Sequence, residues 1–135
     1  MTLVDSNVLL DLATDDPAWA SWSMAALEEA SLRGDLIIND VIYAEISTRY
    51  GRIEDVDAFV AAAGLRHVAI PPAALFLAAK AFARYRSIGG QRGGVLPDFF
   101  IGAHAAVLDR VLLTRDIGRF RTCFPTVRLM APGEP

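Results

Sequence analysis

Apolar residues fall along this chain in two rhythms. Short stretches rich in apolar residues occur at positions 2–5, 36–39, 66–70, 111–114 and 127–130, each too short for a helix and of the right length for a buried strand. Between them lie segments whose apolar residues recur at helical spacing: 8–13, 19–32, 41–50, 56–63, 72–85 and 98–108, with a short helical turn after Asp116. In 19–32 the pattern is Trp19, Trp22, Ala26, Leu27 and Ala30, and Gly34 follows it. Gly51 and Gly64 close two further helices, and Pro72 opens another at a position that helices tolerate. Positions 87–96 carry Gly89, Gly90, Gly93 and Gly94 and read as a mobile loop.

Short apolar strands alternating with helices predict an α/β fold, with a parallel sheet covered by helices on both faces and right-handed crossovers. The small residues Gly102, Ala103, Ala105 and Ala106 give the 98–108 helix a surface able to lie close to a sheet. The 135 residues suit one domain, 1–135, with no internal repeat or linker.

Composition narrows the class of protein. A hydrophobic share of 53% against 21% charged residues suits a packed core rather than disorder. Cys123 is the one cysteine, which excludes an internal disulfide and a cysteine metal cluster and points to a reducing cytoplasm. Asp5 and Asp11 interrupt the first apolar stretch, which also lacks a basic start, so no export signal is expected. The longest apolar stretch, 68–79, contains Pro71 and Pro72 and stops at Lys80, too short to cross a membrane. The net charge of −3 speaks against nucleic acid at first sight. With four acids of a candidate site set aside, however, the 16 acids fall to 12 against 13 bases, and every base but Lys80 is arginine, the side chain best shaped for phosphate.

Those four acids are Asp5, Glu45, Asp98 and Asp116. In a parallel α/β sheet, ligands bind beyond the carboxyl ends of the strands. Asp5 and Asp116 follow the first and fourth strands, Asp98 starts a helix leaving that same edge, and Glu45 lies about a turn into the helix after the second strand. The acids meet only if strands 1 and 4 are neighbours, which the pattern alone does not tell. Two carboxylates about 4 Å apart repel by about 4 kcal/mol at an effective dielectric of about 20. Such a group therefore needs a cation or takes up protons. Oxygen ligands suit Mg²⁺ or Mn²⁺, and such an ion suits phosphodiester hydrolysis. The competing reading is that Asp5, Asp98 and Asp116 cap helices and Glu45 is a solvated helix acid. Single residues do not decide between the two.

Four segments in order resemble the PIN-domain family and, within it, the VapC toxins of bacterial toxin–antitoxin pairs: Leu3-Val4-Asp5-Ser6-Asn7, Tyr43-Ala44-Glu45-Ile46, Leu96-Pro97-Asp98-Phe99-Phe100-Ile101-Gly102-Ala103-His104-Ala105, and Leu113-Thr114-Arg115-Asp116. The third is the most specific. The resemblance implies a three-layer α/β/α sandwich around five parallel strands in the order 3-2-1-4-5. It implies Mg²⁺ or Mn²⁺ on Asp5, Glu45, Asp98 and Asp116, with Asn7 and Thr114 orienting carboxylates or water. It implies an RNA substrate cut by metal-activated water to leave 5′-phosphate and 3′-hydroxyl ends, a VapB-type antitoxin and a homodimer. Arg84, Arg86 and Arg92 flank the glycine-rich stretch and are candidates to hold RNA phosphates, or are solvated surface. Trp19 and Trp22 are core residues or the wall of a groove for an antitoxin helix. His67 and His104 read as packed rather than catalytic.

Three other readings remain: a PIN nuclease that processes RNA without an antitoxin, a PIN-like module that binds without cutting, and an enzyme of another class. Against an aspartyl phosphatase, Asp5-Ser6-Asn7 lacks a second Asp. Against a phospho-acceptor domain, the third strand ends at Ile70-Pro71 with no acid. Against a phosphate loop, the stretch from Gly89 to Gly94 lacks a Gly-Lys-Ser/Thr ending.

Overall fold

The computed structural model describes residues 1–90 and 96–133. Five strands form one sheet: β1 (Thr2–Val4), β2 (Leu36–Ile38), β3 (Leu65–His67), β4 (Val111–Leu113) and β5 (Leu129–Met130). All four pairings are parallel and the order is β3-β2-β1-β4-β5, as the resemblance implies. Every residue of β1 and β2 is buried. Side chains alternate along a strand, so helices cover both faces of the sheet. They are α1 (Ser6–Ala13), α2 (Ala20–Arg33), α3 (Asp40–Ser47), α4 (Ile53–Ala62), α5 (Pro72–Ser87), α6 (Leu96–Leu108) and α7 (Gly118–Cys123). The core joins Leu3, Val4, Ile37, Ile38, Leu112 and Leu113 of the sheet to Val8, Leu9, Ile42, Ile46, Phe99 and Ile101 of the helices.

Where element ends depart from the sequence pattern, polar side chains or missing partners account for it. α2 starts at Ala20, leaving Trp19 outside it, because Asp16 Oδ1 accepts from the Ala18 and Trp19 amides at 2.9 Å and holds a turn there. α3 stops at Ser47 instead of reaching Tyr50. The Ser47 and Thr48 hydroxyls donate to the Tyr43 and Glu45 carbonyls, and the chain tightens into i→i+3 bonds from Thr48 to Tyr50. β3 ends at His67 rather than Ile70, since its neighbour β2 stops at Ile38 and only the Val68 amide finds a further partner, the Ile38 carbonyl. β5 loses Val127, whose amide closes a turn on the Phe124 carbonyl. α6 begins at Leu96, so Asp98 lies inside its first turn and does not open it. Of the stretch 87–96 read as a loop, Ser87 closes α5 and Leu96 belongs to α6, while residues 91–95, with Arg92, Gly93 and Gly94, lie outside the described residues.

At two helix positions space dictates a glycine. Gly34 ends α2 at φ +149°, and a Cβ there would come within 2.9 Å of the Met1 backbone nitrogen. Gly102 lets α6 meet Phe124, whose ring would lie 2.4 Å from an added Cβ. The small-residue surface of α6 therefore receives an aromatic ring as well as packing near the sheet. Among the described residues no helix is long and apolar enough to cross a membrane.

Candidate functional site

The strand order reverses between β1 and β4. The chain leaves β1 toward β2 and β3, then returns across to β4 and β5. At the carboxyl ends of these two neighbours the backbones are still bonded, with the Asp5 amide donating to the Leu113 carbonyl at 2.8 Å. Asp5 and Thr114 therefore stand side by side at the switch point, where open α/β sheets bind ligands.

Asp5 is 3% exposed. Its Oδ1 accepts from the Ser6 amide at 2.7 Å, making it the N-cap of α1. Its Oδ2 accepts from the Thr114 hydroxyl at 2.8 Å and from Asn7 Nδ2 at 3.4 Å. Capping and site placement thus coincide in one side chain. Thr114 Oγ1 also accepts from the Asp116 amide at 3.1 Å, and Asn7 Oδ1 accepts from the Arg115 amide at 3.2 Å. Asn7 and Thr114 lock Asp5 to the loop after β4.

Glu45 reaches the same edge from α3, where Asn39 caps the helix by accepting from the Ile42 amide at 3.0 Å. Its Oε1 accepts from the Ser6 hydroxyl at 2.9 Å. Asp98 comes from the first turn of α6 and is half-buried, with Oδ2 bound by the Arg119 guanidinium of α7. Asp116 is exposed in the loop before α7.

These carboxylates feel one another. Burial pushes the Asp5 carboxyl up to about 7, the Thr114 hydroxyl opposes this, and the charges of Asp98 and Glu45 add to the rise. Glu45 is raised by burial and by Asp98, against the Ser6 hydroxyl. Asp98 is raised by burial, opposed by Arg119 and helped by Asp116. Two acids, Glu45 and Asp98, therefore act on Asp5, and Asp116 acts on Asp98. Even so, among the described residues no three acidic, His or Cys side chains close into a ready-made metal cage. Like charges favour separation, and Asp98 turns to Arg119.

The donor set is nonetheless one a hard divalent ion prefers: carboxylate oxygens with hydroxyls from Ser6 and Thr114, and no sulfur or imidazole. A buried carboxyl whose proton affinity is raised by burial and neighbouring charge, as at Asp5, gains most from such a cation. The acids that could lend oxygens to such an ion at this edge are Asp5, Glu45 and Asp98, with Asp116 in the loop beyond.

The remaining sequence candidates divide. Arg84 and Arg86 are exposed on the last turn of α5 on either side of Tyr85, with the Arg86 guanidinium 5.7 Å from the Phe82 ring centre, and Arg92 lies outside the described residues. His104 is buried, receives Asn39 Nδ2 on its Nδ1 at 3.1 Å and is held below its ordinary value by burial, so it is a packed neutral residue. His67 lies at the β3 edge, paired to Asp40 and stacked on Tyr43. Trp19 and Trp22 are half-buried and meet edge to face at 6.2 Å.

Sequence reasoning missed two arginine pairs. Arg115 Nε and Nη2 grip the two oxygens of buried Asp11 at 2.8 and 2.9 Å; Ser23 of α2 also donates to Asp11, and Trp19 faces the guanidinium at 5.1 Å. This clamp ties α1 and α2 to the loop between Thr114 and Asp116. The signal for it was Asp11, an acid two and three residues after Leu9 and Val8 on the buried face of α1. The second pair, Arg119 with Asp98, had only the flanking of Asp116 by two arginines to announce it.

Among solved structures, a chain of VapBC2 from Rickettsia felis, solved bound to a DNA fragment from their promoter, is similar over 96% of this chain and 97% of its own, with 16% identity and a TM-score of 0.74. A chain of a toxin–antitoxin complex from Klebsiella pneumoniae is similar over 100% of both chains, with 20% identity and a TM-score of 0.70. A chain of VapBC-1 from nontypeable Haemophilus influenzae covers 96% of each, at 14% identity and a TM-score of 0.69. At these identities the likeness is one of fold. No curated protein matches the sequence. The model of one family does, the PIN domain, over residues 2–124. With that span, the parallel order β3-β2-β1-β4-β5 and acids gathered where the order reverses, the chain belongs to the PIN-domain family.

Proposed function

We propose that this chain is a divalent-metal-dependent endoribonuclease and the toxin of a toxin–antitoxin pair. The observation that carries the reading is the convergence of Glu45 and Asp98 on buried Asp5 at the β1/β4 switch point, where both charges add to the rise that burial gives the Asp5 carboxyl. Mg²⁺ or Mn²⁺ held there by Asp5, Glu45, Asp98 and Asp116 would polarise the phosphodiester and acidify a water. The chain's own part is positioning. Thr114 and Asn7 fix the angle of Asp5, Ser6 fixes Glu45, and the Asp11–Arg115 clamp fixes the loop carrying Thr114 and Asp116. The structural neighbours include toxin–antitoxin complexes, which supports a VapB-type antitoxin as partner. A homodimer and a cytoplasmic location belong to the same reading.

The test is purified protein, stripped of any partner, incubated with total RNA in Mn²⁺, in Mg²⁺ and in chelator, beside Asp98→Asn. Cleavage with metal, its loss in chelator and a fall of at least about 10²-fold in the variant are expected. Product ends should be 5′-phosphate and 3′-hydroxyl. Intact RNA in every lane would favour a PIN-like module that binds without cutting. Residual activity in Asp98→Asn that tracks its folded fraction would make Asp98 a structural residue and not a ligand.

A further inference from the structure

Asp98 does not stand free at the acidic edge. The Arg119 guanidinium is bonded to its Oδ2, and the two side chains are only 22% and 25% exposed. Arg119 is itself held from behind. It is bonded to the Tyr85 side chain of α5, with the guanidinium carbon 5.8 Å from the ring centre. Tyr85 leans on Phe99 of α6, ring centres 5.3 Å apart, and on Gly90, where an added Cβ would come within 2.4 Å of the Tyr85 ring. Three helices and a glycine thus cooperate to place one cation among the carboxylates. Of the three arginines that the sequence pattern singles out, Arg84 and Arg86 are instead exposed on α5, and Arg92 lies outside the described residues.

A plain ion pair joining α6 to α7 would account for the contact, but not for its location. The carboxylate that Arg119 occupies is one of those placed to ligate a metal. A dication and a guanidinium on the same carboxylate repel each other, so the guanidinium is the cation the site holds when it lacks an ion and the one that must yield when an ion arrives. Its tie to Tyr85 does not involve Asp98 and keeps it at the site afterwards. There its planar fork suits the nonbridging oxygens of a phosphodiester. Resting on the metal-nuclease reading, we propose that Arg119 has two partners in turn: Asp98 in the ion-free protein, and the phosphate of bound RNA once the ion is in place.

The test separates metal affinity from cleavage. Mn²⁺ is titrated calorimetrically into the partner-free full chain, and RNA cleavage is timed in the same buffer, for wild type, Arg119→Gln and Arg119→Lys. Arg119→Gln should bind Mn²⁺ roughly tenfold more tightly, the factor expected when a competing contact fills the site about nine-tenths of the time. It should nevertheless cut RNA roughly 10²-fold more slowly, the usual loss when one donor to a developing charge is removed. Arg119→Lys, which keeps a cation, should bind Mn²⁺ as wild type does and recover part of the cleavage. A merely structural pair predicts the reverse for Arg119→Gln, with Mn²⁺ binding equal or weaker and cleavage falling with the folded fraction seen by circular dichroism; that result overturns the proposal. If wild type binds Mn²⁺ and cuts RNA while Arg119→Gln matches it in both, this inference alone falls. If wild type neither binds nor cuts, the nuclease reading falls and takes this one with it.

Discussion

At Asp5, burial and like charge act on one carboxyl from both sides. Its folded-state value near 7 stands against 3.8 for the free side chain. Between those values the folded chain keeps a proton that the unfolded chain releases, so stability declines as pH rises from about 4 to about 7 and levels off above. His104 pulls the other way: buried and neutral, it makes the unfolded chain the better proton binder below 6.5. Comparing wild type with Asp5→Asn in chelator cancels the histidine. The variant should be more stable at pH 8, by an upper bound of about 4 kcal/mol, with the advantage shrinking to nothing near pH 4. Urea melts at several pH values measure this, and parallel profiles would show that Asp5 titrates normally. The placement of the acids at one edge was legible in the sequence, because Asp5 and Asp116 follow strands while Glu45 and Asp98 lie in helices that leave that edge. The arginines that answer them were not. Asp11 with Arg115 and Asp98 with Arg119 join distant segments, and no local spacing marks such pairs.

Among the described residues each strand and helix matches the type its apolar pattern predicts, since that pattern separates strands of two or three residues from helices of six to sixteen. Element ends were read less well, because they are decided by single bonds such as those of Asp16, Ser47 and Thr48. The glycine of α6 shows the same divide. Gly102 stood out as part of a small-residue surface, but its neighbour is Phe124, from the segment after α7, and sequence gives no hint of that meeting. Gly102→Ala replaces a poor helix former with a good one, worth up to about 1 kcal/mol in favour. The 2.4 Å approach to the Phe124 ring opposes it. Overpacking costs about 1–3 kcal/mol and should win. A net loss of about 1–2 kcal/mol in urea melts is expected, along with weakened cleavage, because α6 carries Asp98 and α7 carries Arg119. An unchanged or raised stability would mean that the Phe124 ring moves aside at little cost.

Sheet order is a property of the whole chain, and it is what turns scattered acids into a site. The apolar pattern predicted parallel strands but left the adjacency of β1 and β4 open; only the resemblance implied it. The structure supplies it through the pairing of Leu3 with Leu112 and Val4 with Leu113. One consequence reaches the stability of the entire molecule. An ion bound at the switch point stabilises the folded chain alone, by about 2.7 kcal/mol when free ion is at about one hundred times its dissociation constant. A proton on Asp5 competes with that ion, because the ligand must be ionised to bind. The rise in melting temperature caused by Mn²⁺ should therefore be larger at pH 8, above the Asp5 value of about 7, than at pH 6 below it. Asp5→Asn should weaken the pH dependence of the remaining response, and Asp98→Asn should shrink the response at both pH values. Differential scanning fluorimetry with a fixed Mn²⁺ series measures all three proteins under one protocol. Equal Mn²⁺ shifts at both pH values in every variant would place the ion on scattered surface acids, and the switch point would then be a set of helix caps and ion pairs with no cation of its own.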